Sequence, residues 1–218
     1  MKTNSKHTMQ TAMAIVTVCA CLGTACSPGD NSQDDGWISI WDGETLDGWK
    51  ASENPESFSV EDGRIVVDGP RGHLFYEGPA GNADFLNFEF TAEVYTHTTA
   101  NSGIFFHTRY QEEGWPQIGY EAQVNASHGD RRKTGSLYAV KDVMDEAPHE
   151  DYEWFDYYIK VDGKDITFKI NDEVVMEFTE PDDREGTIRL SRGTIALQAH
   201  DPDSRIYYRN INIRLLPD

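Results

Sequence analysis

The sequence YYIKVDGKDITFKINDEVVMEF, residues 157–178, contains three short stretches in which apolar and polar residues alternate. Two pairs separate the stretches, Asp162-Gly163 and Asn171-Asp172. Both pairs suit the positive-φ positions of tight hairpins, and a period of two is typical of half-buried strands. The stretches are therefore predicted to form an antiparallel meander of strands at residues 157–161, 166–170 and 174–178.

The same alternation recurs along the chain. It is clear from Phe88 to Val94 and again over residues 206–215, and Glu61-Asp62-Gly63 predicts another hairpin, between residues 58–60 and 64–67. No long stretch has the 3.6-residue period of an amphipathic helix, and the best helical candidate, residues 143–147, is a turn or two at most.

About 180 residues of short strands separated by turns predict an all-β fold. The expected architecture is a two-sheet antiparallel sandwich that forms a single domain over residues 37–218.

The charge balance excludes several kinds of partner. Of 218 residues, 38 are Asp or Glu and 19 are Lys or Arg, which gives a net charge of −19. Nucleic-acid binding depends on Lys and Arg against phosphates, and anionic lipid surfaces also select basic proteins. No nucleic-acid partner is therefore expected, and any membrane contact is expected only through an N-terminal anchor.

The first 25 residues have the pattern of an export signal. Lys2 and Lys6 precede an apolar run over residues 12–22, and small residues follow at 23–25. Cys26, directly after Thr24-Ala25, resembles the lipidated cysteine of a bacterial lipobox; Cys21 is a competing site, and an ordinary secreted protein cut near Ala25 is the alternative.

These features predict an exported lipoprotein with a signal peptide at residues 1–25 and lipidation at Cys26. Its flexible tether covers residues 26–36, where the composition is polar and rich in Gly, Pro and Asp. The expected location is the bacterial outer membrane, facing the periplasm or the cell surface.

Three predicted strands carry unusual polar residues on one face. In residues 103–109, 120–125 and 195–200, apolar side chains alternate with polar or aromatic ones. The apolar sets can serve the core, so the opposite sets must lie on the outer face of their sheet. The outer sets are Phe105, His107 and Arg109 in the first strand, Glu121, Gln123 and Asn125 in the second, and Gln198 and His200 in the third.

Such a pool of donors, acceptors and aromatic rings favours a concave sugar-binding sheet, with three ordinary solvated faces as the alternative. Between the second and third of these strands, residues 127–138 contain three consecutive basic residues, Arg131-Arg132-Lys133. This loop is expected either to bring cations over the sheet, toward a carboxylate or a developing oxyanion, or to be a charged surface loop.

Five segments share a further property: the residue motifs and their order match one known family. They are ISIWDGETLDGW (38–49), ANSGIFFHTRY (100–110), GYEAQVNASHGDRRKTGSLYAV (119–140), EWFDYYIKVDGKDITFKINDEVV (153–175) and TIALQAHDPDSRIYYRNINIRLLPD (194–218). Together they resemble the 3-keto-disaccharide hydrolase domain family, which implies a concanavalin A-like jelly roll and an enzyme that cleaves 3-keto glycosides.

The chemistry that this resemblance implies is an elimination. A ketone at C3 of a sugar acidifies the C2 proton, and the glycosidic oxygen on C1 is β to that ketone. Loss of the C2 proton therefore allows the C1 substituent to leave, and water then adds to the enone. The enzyme needs a base near C2, a donor or cation at the C3 oxygen and an acid for the leaving oxygen.

On this interpretation Glu121 and His200 form the acid/base pair, with the assignment between them open. Arg109, His107, Arg132 or Lys133 would stabilise the enolate. The substrate would be held by Gln123, Asn125, His128, Arg132, Tyr138, Trp154, Gln198 and Phe105. The expected partners are an oligosaccharide or glycoside and an oxidoreductase that supplies the 3-keto sugar.

Three alternatives remain open. A divalent metal ion on His107, Glu121 and His200 would serve as an electrophile of the same kind. A conventional glycosidase needs two facing carboxylates, and the polar faces offer only Glu121, with Asp201 at the edge of a strand and Asp130 on the loop. The rival from another class is a non-catalytic, lectin-like carbohydrate-binding lipoprotein.

Overall fold

The computed structural model describes residues 35–218. The predicted signal peptide, the lipidation site at Cys26 and the tether up to residue 34 lie outside the described residues. Among residues 35–218, no helix is both long enough and apolar enough to cross a bilayer.

The described residues form thirteen strands and two single turns of 3₁₀ helix, Pro55–Ser57 and Ala80–Ala83. The strands are β1 (Trp37–Ser39), β2 (Trp49–Ala51), β3 (Phe58–Glu61), β4 (Arg64–Asp68), β5 (Gly72–Tyr76), β6 (Phe88–Thr96), β7 (Ser102–Thr108), β8 (Tyr120–Val124), β9 (Trp154–Asp162), β10 (Asp165–Ile170), β11 (Glu173–Thr179), β12 (Thr194–Ala199) and β13 (Arg205–Leu215).

The strands make two antiparallel sheets. The larger has eight strands in the order β11-β10-β9-β6-β13-β4-β3, with β1 also paired to β13. The smaller has five strands in the order β2-β5-β12-β7-β8. The predicted all-β sandwich of two antiparallel sheets is confirmed.

The tight turns follow the turn chemistry of the sequence. The predicted meander is β9-β10-β11, and the predicted hairpin over residues 58–67 is β3-β4. Asn171 and Asp172 have φ values of 49° and 67°, and Asp62 and Gly63 have 48° and 70°. Two successive positive φ values match the right-handed twist of the flanking strands, which is why Asn, Asp and Gly occupy these positions.

The core lies between the two sheets, where apolar residues of alternating strands meet. Five phenylalanines, among other residues, are fully buried there: Phe88, Phe90, Phe106, Phe155 and Phe168. Burying each such side chain contributes roughly 1.5–3 kcal/mol, so the core fixes which face of each strand points outward. Residues 143–147 are not helical; Val143 O instead accepts a hydrogen bond from Lys133 N (2.8 Å), which ties this segment to the basic loop.

Candidate active site

A cavity of about 430 Å³ lies on the outer face of the five-stranded sheet. Strands β12, β7 and β8, which carry the three predicted polar faces, are neighbours in that sheet. In the register, Ala196 pairs with Phe105, Phe105 with Glu121, and Gly103 with Gln123. The cavity is lined by Asn101, Phe105, Trp115, Pro116, Gly119, Glu121, Gln123, Tyr138, Ala139, Ile188, Gln198 and His200.

Glu121 is a carboxyl group without a cationic partner. Gln198 Nε2 donates a hydrogen bond to its Oε1 at 3.3 Å, and no Lys or Arg within residues 35–218 forms an ion pair with it. Burial raises the pKa of Glu121 to about 8, and the negative charge of Asp130 adds to this effect. At neutral pH the group is therefore a carboxylic acid that can donate its proton.

The space for this carboxyl group depends on Gly103. A Cβ atom on Gly103 would lie 2.8 Å from Glu121 Cγ and closer still to Oε1, and any side chain there would displace the carboxyl group. Gly103 and Glu121 sit diagonally across the β7–β8 ladder on the same face, where longer side chains normally meet.

His200 has one ring nitrogen fixed and the other available. Its Nδ1 lies 2.6 Å from Asp201 Oδ2. Burial alone would raise the pKa of Asp201, but hydrogen bonds from His200, Asp203 and Ser204 hold that pKa below its usual range. An ionised carboxylate only accepts, so Nδ1 carries the proton and Nε2 presents its lone pair. This is the arrangement of an oriented general base.

The buried amides of Gln123 and Gln198 provide hydrogen-bond acceptors in the same cavity as Glu121 and His200. Gln123 Nε2 donates to Asn101 Oδ1 at 2.8 Å, which fixes the orientation of the Gln123 amide. Within the described part of the chain, Gln123 Oε1 and Gln198 Oε1 are buried without a hydrogen-bond partner. A bound hydroxyl group is the kind of donor that such oxygens require.

Aromatic rings form the cavity walls. Trp115 is 43% exposed, and its ring centroid lies 5.3 Å from that of His200. The Arg71 guanidinium lies 5.2 Å from the centre of the Trp115 ring. Arg71 is itself held by an ion pair with Glu53. Tyr138 donates a hydrogen bond from its hydroxyl group to Asp130 Oδ2 at 3.1 Å.

The structure brings six of the predicted site residues to the cavity: Phe105, Glu121, Gln123, Tyr138, Gln198 and His200. The placement expected for His107 was wrong. The positive φ of His107 (55°) breaks the strand alternation, and its ring contacts Phe88 and Phe106 instead. Its Nε2 lies 2.9 Å from Leu86 O, and burial lowers its pKa to about 4.

The metal set predicted from His107, Glu121 and His200 is therefore not assembled, because His107 faces away from the cavity. Arg109 also lies elsewhere: it is exposed just after β7 and lines a separate surface depression with Glu77 and Asp84.

Trp154 lies on the other sheet. It belongs to β9, where the Arg209 guanidinium is 3.9 Å from its ring and Tyr95 is its neighbour. It cannot stack on a sugar in the cavity of the five-stranded sheet, so the expectation of that contact was wrong.

In the basic loop, Lys133 and Arg132 form hydrogen bonds with other groups of the protein. Lys133 is 6% exposed, and its Nζ donates to His128 O at 2.8 Å. Arg132 Nε donates to Asp142 Oδ2 at 3.0 Å, while the Asn125 amide donates to the carbonyl groups of Asp130 and Arg132. The expectation that Lys133 and Arg132 reach over the sheet was wrong, because acidic and carbonyl groups of the loop itself bind them.

Sequence reasoning missed Asn101, Trp115 and Ile188 as cavity residues. Trp115 and Ile188 lie in loops, where no periodicity indicates which side chains point inward. An aromatic residue between Gly114 and Pro116 in a turn-rich segment was the available signal for Trp115.

Comparison with known proteins agrees with this fold. A structure from Parabacteroides distasonis, of a protein proposed to be a glycosyl hydrolase, has a TM-score of 0.70 at 21% identity, covering 84% of this chain and 94% of that one. A carbohydrate-binding module of Bacillus subtilis has a TM-score of 0.55 at 11% identity, covering 77% and 95%. Both are similar in fold.

Similarity in sequence is more specific. A protein of Bacteroides thetaiotaomicron named 3-keto-disaccharide hydrolase is 28% identical in an alignment of 170 residues that covers 66% of this chain and 59% of that protein. The chain thus spans less than two thirds of that relative. The 3-keto-alpha-glucoside-1,2-lyase-like domain matches residues 36–214, which include all thirteen strands but the last residue of β13. By this match, the chain belongs to the 3-keto-alpha-glucoside-1,2-lyase-like domain family.

Proposed function

We propose that the protein is a carbohydrate-active enzyme that cleaves 3-keto glycosides by elimination followed by hydration. The observation that carries the proposal is the pairing, in one cavity, of a protonated carboxyl group with an oriented imidazole base. Glu121 has its pKa raised to about 8, and His200 is held by Asp201 through Nδ1. The family membership and the name of the Bacteroides relative support the same substrate class.

In the first step, His200 Nε2 removes the proton from C2 of the 3-keto sugar. The electron pair of the C–H bond forms the C2–C3 double bond of an enolate, with the negative charge on the C3 oxygen. His200 becomes an imidazolium, and the adjacent Asp201 carboxylate stabilises that charge.

In the second step, the enolate collapses. The C3 carbonyl reforms, a C1–C2 double bond forms, and the bond between C1 and the glycosidic oxygen breaks. Glu121 donates its proton to the departing oxygen, so the leaving group departs as a neutral alcohol. Water then adds at C1 and a proton returns to C2, which gives the free 3-keto sugar.

A two-carboxylate glycosidase fits the cavity less well. Such an enzyme needs one carboxylate as a nucleophile or base opposite the acid. Among the lining residues of the described chain, Glu121 is the only carboxyl group, and Asp130 and Asp201 are already engaged by Tyr138 and His200.

The test uses the full chain with a 3-keto glycoside that carries a chromogenic aglycone. Its unoxidised parent and its C2-deuterated form are the matched substrates. We expect release from the keto form only, and a rate severalfold lower with deuterium at C2, because the C2–H bond breaks in the proposed first step.

Two outcomes would overturn the proposal. Release from the unoxidised parent, with no effect of deuterium at C2, would indicate a conventional glycosidase. Binding of the sugar in calorimetry without release from either substrate would indicate a carbohydrate-binding module.

Two further predictions from the sequence belong to this proposal. The protein is exported and anchored by a lipid on Cys26, which mass spectrometry of the membrane fraction tests directly. An oxidoreductase must also supply the ketone at C3, since the chemistry above begins from an oxidised sugar.

A further inference from the structure

His128 lies next to the cavity residue His200, and hydrogen bonds with Asn125, Asp130 and Lys133 hold it. Its ring centroid is 5.6 Å from that of His200. Its backbone N–H donates to Asn125 Oδ1 at 2.9 Å, and its backbone oxygen accepts from Lys133 Nζ at 2.8 Å. Its ring Nδ1 accepts from the backbone N–H of Asp130 at 3.0 Å. Of the polar atoms of His128, only Nε2 is left to meet a ligand.

The hydrogen bond from Asp130 fixes the tautomer of the ring. A backbone N–H can only donate, so His128 Nδ1 must present its lone pair, and the proton of the neutral ring sits on Nε2. Burial lowers the pKa of His128, and the neighbouring His200 lowers it further, so the ring is neutral at physiological pH.

His200 has the opposite arrangement. Its Nδ1 carries the proton toward Asp201, and its Nε2 presents a lone pair. Two adjacent imidazole rings therefore offer one hydrogen-bond donor and one base. One ring nitrogen each of His128 and His200 lies within 4.8 Å of the other and of an Asp201 carboxylate oxygen, so the two rings are close enough to contact one ligand.

We propose that His128 is a catalytic residue whose Nε2–H donates to the C3 oxygen of the 3-keto sugar while His200 removes the C2 proton. The assignment rests on the proposed function. C2 and C3 are bonded to each other, so the base and the donor to the oxygen must be neighbours. A neutral N–H donor aimed at the oxygen where charge develops is the kind of group that stabilises an enolate.

A metal ion is the competing use of the same three side chains. A cation on His128 would need either Nδ1, which Asp130 N–H occupies, or Nε2, which would then place the ring proton on Nδ1 against another donor. The backbone of the loop therefore opposes metal binding at His128 and favours the donor role.

The proposal also explains the basic loop that the sequence singles out. Lys133 and Asn125 are positioning residues that hold the backbone of His128. Asp130 is held in turn, because its Oδ1 accepts from Arg132 N at 2.9 Å and its Oδ2 from the Tyr138 hydroxyl. The charges of this loop act through His128 instead of facing the substrate.

The first test compares His128→Leu with His128→Gln, with His97→Gln as the control for the same substitution on the other sheet. Leu removes the donor, and Gln keeps an amide N–H near the position of Nε2. We expect kcat on the 3-keto glycoside to fall about 100- to 1,000-fold in His128→Leu, as for the loss of one oxyanion donor. The KM should change little, His128→Gln should recover part of the loss, and His97→Gln should match the wild type.

The second test reads the tautomers directly by long-range ¹H–¹⁵N correlation spectra of the ¹⁵N-labelled full chain, before and after addition of Zn²⁺. His128 should show a proton on Nε2 and His200 a proton on Nδ1, with neither signal moved by zinc. The opposite tautomer at His128, or a zinc-dependent shift of both rings, would overturn the proposal.

The two proposals fail in different ways. If the wild type releases nothing from 3-keto glycosides, the proposed function fails, whatever the tautomer spectra show. If the wild type is active but His128→Leu keeps its kcat, only the role of His128 fails.

Discussion

The outer faces of the two sheets each carry a glutamate, but the groups that surround the two carboxyl groups differ. Glu121 lies on the edge strand β8 of the five-stranded sheet, and Glu89 lies on the central strand β6 of the eight-stranded one. Glu89 forms an ion pair with Arg214 and accepts a hydrogen bond from the Tyr158 hydroxyl at 2.5 Å. Glu121 has the side-chain amide of Gln198 as its partner.

The two carboxyl groups therefore have opposite pKa shifts. Burial alone would raise the pKa of Glu89, but the hydrogen bonds from Arg214 and Tyr158 outweigh it and lower the pKa below its usual value. Burial dominates at Glu121 and raises its pKa to about 8. The comparison teaches that a neighbouring cation and a hydroxyl donor can outweigh the effect of burial, which no cation opposes at Glu121.

The largest effect should come from replacing the two glutamates in turn. Glu121→Gln removes the acid for the leaving group, and kcat should fall about 100- to 10,000-fold with the fold intact. Glu89→Gln should leave kcat within about threefold of the wild type but lower the free energy of unfolding by roughly 1–3 kcal/mol, because Arg214 loses its partner. Steady-state kinetics and urea unfolding measure the two effects.

The pH profile gives the control for this pair. Glu121 acts in its protonated form, so kcat should fall as the pH rises through about 8, and Glu121→Gln should lack that decline. An equal decline in both proteins would contradict the assignment of Glu121 as the acid.

The next effect tests whether the environment of Glu121 depends on Gly103. Gly103→Ala should lower kcat about 10- to 100-fold, because the new Cβ displaces a carboxyl group that must be aligned with the leaving oxygen. Adding Glu121→Asp, which shortens the side chain, should recover part of the loss in the double variant. If the loss of kcat in the double variant were the product of the fold losses in the two single variants, Gly103 would act by another route.

A smaller effect separates two tryptophan positions, one on each sheet. Trp115→Ala should raise KM about 3- to 10-fold, since an aromatic contact contributes roughly 0.5–1.5 kcal/mol beyond area burial. Trp154→Ala, on the other sheet beneath Arg209, should leave KM unchanged. Equal changes in KM would place the sugar outside the cavity described above.

The last effect is on stability. The folded state holds a proton on Glu121 that the unfolded chain loses above about pH 4.5, so stability falls as the pH rises from there to about 8. Glu121→Gln should remove this slope, a change of up to about 5 kcal/mol, since the pKa rises from 4.5 to about 8 and one pKa unit corresponds to about 1.4 kcal/mol. The lowered pKa of Glu89 has the opposite effect on stability. It stabilises the folded state at pH values above the pKa of Glu89 in the unfolded chain, and this contribution is lost as the pH falls through the pKa of Glu89 in the folded state. Urea unfolding across pH 3–9 distinguishes the two slopes.

Regular strands explain why much of the fold and half of the site could be predicted from the sequence. Alternation places Glu121, Gln123 and Gln198 on the outer face because the backbone there is extended and the core fixes the other face. The prediction failed at His107, where a positive φ ends the alternation that the residue types still suggest.

Loops account for the remaining failures. The sequence shows that Lys133 is one of three consecutive cations, but not that the backbone oxygen of His128 accepts from it. Trp115 reaches the cavity because its segment is tied to Glu53, whose Oε1 accepts from Gly114 N at 3.0 Å. Such ties join residues far apart in the chain, and no local pattern records them.

The missing side chain at Gly103 has a consequence for the evolution of this fold. One solved structure of similar fold is named as a proposed glycosyl hydrolase and another as a carbohydrate-binding module, and here a single methyl group would push aside the carboxyl group that we propose as the acid. A natural chain with the same strands and amides but Ala at this position should still bind sugars, while its proton donor would be misaligned. On the proposed function, a change at position 103 alone would therefore shift such a chain from turnover toward binding.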